Sequence, residues 1–371
     1  MSKKCSAVKR EILEIIAASG EVYRQDLMYV SRYAANYIRQ ILSELRADNL
    51  IKESVFNNCR TVRLTNIGKK YLLQMALDRY ERYLSGTAET NKLRCEPQRR
   101  ERNLKMAQII ILLRQTNGKI FPDEKRLLYK HTVPPADKAD NIQAEFYTST
   151  ELKELFADFN KSRGSRAMGI LITASCLYIV YHTGKEPMKW QESTELKFRI
   201  TVEHEIVRKV FRNQKELKWL VIGNSAEVPD KLVQQSGAGK IKYMNISDNN
   251  LEKHYVEFRR GSLPVMRLIA DDLLCEKVRG YIRQSFGIWQ SGSGQFCETD
   301  EDGTPVFIAL DFNMQRVHRF AAYLCVNNKK GRMICFDFQE QYLQLCRGAL
   351  MDVYTIDSRK YEEGILYEKS N

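Results

Sequence analysis

Seven side chains between Arg32 and Ser43 have the types and spacing to read a nucleic acid. Arg32, Tyr33, Asn36, Tyr37, Arg39, Gln40 and Ser43 lie opposite a stripe of Ala34, Ile38, Ile41, Leu42 and Leu45 at helical spacing. Arg matches the acceptor edge of guanine, and Asn and Gln match the edge of adenine. Tyr and Ser hydroxyls serve phosphate oxygens. Arg60 and Arg63 follow in an alternating run and are read as phosphate contacts that add salt-dependent affinity.

A second chemistry has a thinner basis. Glu195-Leu196-Lys197 has the letters of the Glu-x-Lys pair with which restriction-type folds hold magnesium and activate water. The segment reads as the opening of a helix, and no upstream acid on a neighbouring strand accompanies it. Asp311 and Asp337 end strand-like runs, where α/β sites form, and are the reserve carboxylates. No phosphate-cradling G-x-x-x-x-G-K-[ST] loop or G-x-S-x-G elbow occurs. Gly237-x-Gly239 precedes a strand-like run rather than opening a helix. His131, His182, His204, His254 and His318 are far apart, and none forms H-E-x-x-H. The sequence therefore assigns no catalytic residue, no metal ligand and no cofactor, and the expected protein is not an enzyme.

The elements that must position the first group run from the amino terminus to Met75. A helix is predicted over Ser6 to Ala18, with Val8, Ile12, Ile15 and Ile16 on one face and Gly20 as its stop. A short helix over Arg24 to Val30 precedes a longer one from Ser31, the expected N-cap, to about Ala47. Strands Lys52–Phe56 and Thr61–Leu64 flank an Asn57-Asn58 turn, since Asn tolerates positive φ. Thr65 then caps a helix through Gly68, Tyr71, Leu72 and Met75 that continues into LDRYERYL. This order is that of a winged helix-turn-helix, assigned to residues 1–84.

Residues 85–145 read as a basic linker and a bridging helix. SGTAETNKLRCEPQRRERN is polar and contains Pro97. Its cluster Arg94, Arg99, Arg100, Arg102 and Lys105 suits either a DNA contact or a solvated linker. The apolar helix KMAQIIILLRQTNG, ended by Gly118, is expected to pack on the second domain or on a partner subunit.

From residue 146 to 371 strand-like and helical runs alternate. MGILIT and CLYIVYHT form a hairpin, and a helix spans Thr194–Phe211. LKWLVIG, KIKYMNIS (240–247), TPVFIALD, RMICFDF and MDVYTID are strands. Between them lie PDKLVQQ, one long helix from Val265 to Phe286, and helices at Val317–Leu324 and Gln341–Gly348. The expected fold class is α/β, with an N-terminal winged helix-turn-helix followed by a larger α/β domain with a mostly parallel or mixed sheet.

Net charge is +13, with 59 Lys/Arg against 46 Asp/Glu. Residues 1–105 hold 21 basic and 12 acidic side chains, so the excess coincides with the predicted module and favours a polyanionic partner. Nine cysteines without C-x-x-C pairing read as free thiols in a reducing cytoplasm. No apolar run approaches the roughly 18 residues that span a bilayer, so no membrane partner is expected.

The segment L-T-x-x-G-x-x-Y-L resembles the one closing the wing in many prokaryotic winged-helix regulators. The wider layout, with FYTSTELK (146–153), SRAMGILITASCLYIVYHTG (165–184), MKW (188–190) and VFIALDFN (306–313), resembles replication-relaxation proteins of plasmids and integrative elements. That resemblance implies a role in replication, DNA relaxation or conjugative transfer, with relaxase or replication proteins as partners, and it carries no catalytic residue onto this chain. Three readings stay open. One is a DNA-binding accessory factor acting on double-stranded DNA. The others are a regulator whose α/β domain senses a ligand or forms a homodimer, and a metal-dependent nuclease.

Overall fold

A computed structural model describes residues 6–29, 33–85, 97–125, 127–128, 143–234, 242–246, 251–290, 296, 298–346 and 348–362. Ser31, Arg32, Arg94, His131, Gly237 and Gly239 lie outside them. The chain divides into two compact units, Met1–Thr132 and Val133–Asn371. The first combines helices with a small antiparallel sheet, and the second carries mixed and parallel sheets.

In the first unit, α1 (Ala7–Ser19) starts at Ser6, whose hydroxyl accepts from the Lys9 amide, and stops at Gly20 with φ 84°. Its predicted stripe is buried, as are Leu13 and Ala17. Strand β1 (Val22–Tyr23) and a 3₁₀ turn at Asp26–Tyr29 lead to α2 (Ala35–Ala47). Strands β2 (Ile51–Phe56) and β3 (Cys59–Leu64) form the hairpin, and Asn57 (φ 49°) and Asn58 (φ 60°) make its turn. Val22 and Tyr23 pair with β3, giving a three-stranded antiparallel sheet in the order β1-β3-β2.

Helix α3 (Asn66–Met75) follows, and α4 (Leu77–Leu84) is set off from it by extended backbone at Ala76. The L-T-x-x-G pattern has a physical basis in this structure. The Thr65 hydroxyl accepts from the Gly68 amide at 3.0 Å and donates to the Asn49 carbonyl at 2.5 Å. A Cβ at residue 68 would stand 2.1 Å from the Leu50 carbonyl oxygen, so only glycine admits this approach.

The helix expected to bridge is instead part of this unit. In α5 (Pro97–Gln115), every residue from Met106 to Leu113 is buried, and the helix packs on α1. This second half of the helix, apolar except for Gln108, needs cover all round.

The second unit opens with β4 (Glu145–Thr148) and α6 (Ser149–Leu155), whose capping box joins Thr148 to Glu151. Strands β5 (Gly169–Ile172) and β6 (Cys176–Gly184) are the predicted hairpin, and both are buried throughout. After α7 (Glu192–Val202) and a π-helical turn at Glu203–Arg208 come β7 (Glu216–Gly223), α8 (Val228–Gln234) and β8 (Lys253–Glu257). The sheet order is β4-β5-β6-β7-β8, antiparallel up to β6 and parallel beyond it.

Two expectations fail here. KIKYMNIS supplies only an isolated bridge from Tyr243 to Lys189 within its described part, and the edge strand is KHYVE instead. KHYVE hides its charge locally: the Lys253 ammonium lies 4.8 Å from the Trp219 ring centre and donates to the Leu251 carbonyl. The predicted long helix is two, α9 (Leu263–Ala270) and α10 (Asp272–Ser285). Asp271 leaves the helical region and its carboxylate accepts from the Leu274 amide, which starts a new helix.

The remaining elements are a two-stranded ribbon, β9 (Trp289–Gln290) with β10 (Glu298–Thr299), and a parallel three-stranded sheet. That sheet is β11 (Val306–Ile308), β12 (Gly331–Phe336) and β13 (Met351–Ile356), in that order. Helix α11 (Met314–Val326) crosses from β11 to β12. A 3₁₀ segment at Asp337–Cys346, where an α-helix was expected nearby, links β12 to β13, and α12 (Ser358–Glu362) follows. No helix among the described residues is long and apolar enough to cross a membrane.

Candidate nucleic-acid interface

Helix α2 buries Ile38, Ile41, Leu42 and Leu45, which fixes the rotation of the whole helix. Asn36, Tyr37, Arg39, Gln40 and Ser43 are consequently exposed, and Tyr33 is exposed just before it. Burying four aliphatic side chains stabilises this orientation by roughly 1.5–3 kcal/mol each. Two boundaries differ from expectation. The N-cap is Ala34, which is itself exposed and has no capping side chain, and Arg32 lies outside the described residues.

The exposed face carries several local contacts. Arg39 donates to Asn36 Oδ1 at 2.7 Å, Gln40 donates to Glu44 at 3.0 Å, and the Tyr33 and Tyr37 rings lie 5.2 Å apart. Solvated i, i+3 and i, i+4 pairs of this kind contribute only about 0.2–0.5 kcal/mol, so a ligand can replace them. Lys9 pairs with Glu44, the one acid within α2, at 2.7 Å.

The two ribbon arginines have different environments. Arg60 is exposed opposite Val55, itself 65% exposed near the tip of the ribbon. Arg63 is turned inward, with Nη2 at 3.0 Å from both carboxylate oxygens of Glu21. Arg100 from α5 clasps the same carboxylate at 2.6 and 3.0 Å and lies over the Phe56 ring. Burial pushes the Glu21 carboxyl up, but hydrogen bonds from Arg100, Thr61 and Arg63 outweigh it and hold it below the usual range. The expectation of a phosphate contact at Arg63 is therefore corrected: its charge is spent beneath the ribbon. Arg100 leaves the presumed linker cluster for the same reason. Lys52 on β2 and Lys70 on α3 are exposed cations that the pattern did not single out.

Asp26 sits behind this face, in the turn before α2. It is buried and accepts from Gln108 of α5 at 2.7 Å. Burial lifts its carboxyl to about 7 against that hydrogen bond.

The carboxylates considered for hydrolysis are each engaged by other partners. Glu195 is buried in the first turn of α7, where it accepts from the Arg166 amide (2.6 Å), Ser165 Oγ (2.7 Å) and Tyr181 Oη (3.3 Å). Lys197 is exposed, as residues two apart on a helix face different ways. Asp311 meets Arg279 at 2.9 Å and His254 at 3.4 Å. Burial raises its carboxyl, and the neighbouring Arg279 guanidinium, first among the opposing charges, helps hold it below the usual range. Asp337 accepts from the Ser358 amide at 3.3 Å. Among the described residues no three His, Cys, Asp or Glu side chains are grouped to hold a metal ion.

Comparison with protein-family models, curated proteins and solved structures finds no match for this chain.

Proposed function

We propose that the first unit is a winged helix-turn-helix that binds double-stranded DNA sequence-specifically, with α2 in the major groove and the β2–β3 ribbon along the backbone. The observation that carries this reading is the pairing of an exposed Tyr33/Asn36/Tyr37/Arg39/Gln40/Ser43 face with an exposed Arg60 on the adjoining ribbon. Asn and Gln side chains address base edges, and the cations address phosphates. The basic excess of residues 1–105 supports the same partner.

The protein acts without chemistry of its own, as an accessory factor of a mobile genetic element in replication, DNA relaxation or conjugative transfer. This role rests on the resemblance of its sequence patterns to replication-relaxation proteins. Footprinting across the element that encodes it, with a nicking assay on the same supercoiled DNA, tests the role. Protection flanking an origin, with the DNA left uncut in magnesium, is expected. Protection confined to the gene's own promoter favours a transcriptional regulator. Metal-dependent nicking abolished by Glu195→Ala, Asp311→Ala or Asp337→Ala overturns the accessory role.

A further inference from the structure

The parallel sheet of the second unit ends in a cavity of about 370 Å³. Leu310, Phe336 and Ile356 come from the carboxyl ends of β11, β12 and β13 or just beyond, and Val278, Ile282 and Phe286 come from α10 and the residue that follows it. The carboxyl ends of parallel strands are where α/β folds bind ligands, and the volume falls within the roughly 300–1,000 Å³ of small-molecule sites. Four of the lining side chains are aromatic (Tyr281, Phe286, Phe336 and Tyr361), so a flat ring finds stacked and edge-on partners on several sides.

The rim carries two opposite charges that do not pair with each other. Lys360 and Asp357 both line the cavity and are exposed. One oxygen of Asp357 accepts from the backbone amides of Arg359 (2.9 Å) and Lys360 (3.2 Å). The other carboxylate oxygen and the Lys360 ammonium have no partner among the described residues. Thr355 and Ser285 add hydroxyls on the same border. An apolar ligand leaves both charges unused, and a ligand with one charge uses only one of them.

We infer that this cavity binds a small aromatic zwitterion of the amino-acid type. Its ring lies among the aromatic walls, its carboxylate meets Lys360 and its ammonium meets Asp357. This inference does not depend on the DNA reading of the first unit.

Calorimetric titration of the full chain with L-tryptophan, indole-3-propionate and tryptamine tests it. The last two lack the ammonium and the carboxylate respectively. Expected is one site for L-tryptophan, with each analogue bound several-fold more weakly. Lys360→Gln should weaken L-tryptophan and indole-3-propionate but not tryptamine, and Asp357→Asn should weaken L-tryptophan and tryptamine but not indole-3-propionate. Thr355→Trp, at an exposed rim position, should fill the mouth and abolish binding of all three while leaving the unfolding midpoint within a few degrees of wild type. No binding of L-tryptophan at millimolar concentration overturns the inference. So do analogues that bind as tightly as L-tryptophan, or a folded Thr355→Trp variant that binds normally.

Discussion

Arg60 and Arg63 show how far single residues can be read from sequence. Three positions apart on a strand, they face opposite sides of the ribbon, so only one of them can meet an external phosphate. That much was available from the alternation. The burial partner of Arg63 was not, because Glu21 and Arg100 lie 42 and 79 residues from their respective partners in this cluster. Arg60→Ala is expected to change stability by less than about 0.5 kcal/mol and to weaken binding to all DNA sequences, reducing the salt slope by about 1. Arg63→Ala should instead destabilise the fold by roughly 1–3 kcal/mol, since a buried carboxylate loses part of its compensation. Urea unfolding beside salt-dependent DNA titration separates the two outcomes.

Asp26 gives a pH test at the same scale. Its folded carboxyl titrates near 7, whereas an unfolded Asp titrates near 3.9. Between roughly pH 4 and 7 the folded chain keeps a proton that the unfolded chain has lost. Stability should therefore fall as pH rises through that window and level off above it. Asp26→Asn keeps an acceptor for Gln108 and removes the charge. It should gain up to on the order of 4 kcal/mol at pH 8 and little at pH 4, measured by urea unfolding at both values. An equal effect at the two pH values would mean that the carboxyl is ionised throughout.

At the scale of elements, the amphipathic helices of the first unit and the apolar hairpin β5–β6 were legible, and the charged edge strand β8 and the break between α9 and α10 were not. The stripes of α1 and α2 and the Asn57-Asn58 hairpin follow directly from periodicity and turn chemistry. Strand β8 escaped because Lys253 and His254 look solvent-seeking, and their burial depends on tertiary neighbours such as Trp219, Tyr178 and Asp311. Helix α5 was visible as a helix, yet its apolar surface could not name what it packs on. Its place in the first unit changes the minimal folding fragment. Residues 1–84 leave Glu21 without Arg100, Glu14 without Arg114 and Asp26 without Gln108. A 1–132 fragment should unfold cooperatively, and a 1–84 fragment should show no cooperative transition by circular dichroism. Equal cooperativity in both would remove α5 from the core of the unit.

For the whole molecule, the sequence indicated an α/β chain with a basic amino-terminal part, and the structure has small antiparallel, mixed and parallel sheets in two units. The site was legible as a face, because burial of Ile38, Ile41, Leu42 and Leu45 dictates what α2 exposes. Its functional meaning rests on the chemistry of that face. The most direct test selects duplexes from a randomised pool with the full chain and titrates the best one against a random duplex at several salt concentrations. An Asn36→Ala/Gln40→Ala variant is carried in parallel, since both positions are exposed and the fold should be unaffected. The expected result is affinity that falls linearly on a log–log salt plot, with a preference for the selected duplex that the variant loses. Absence of duplex binding at low salt, or full selectivity in the variant, would contradict a DNA-reading α2.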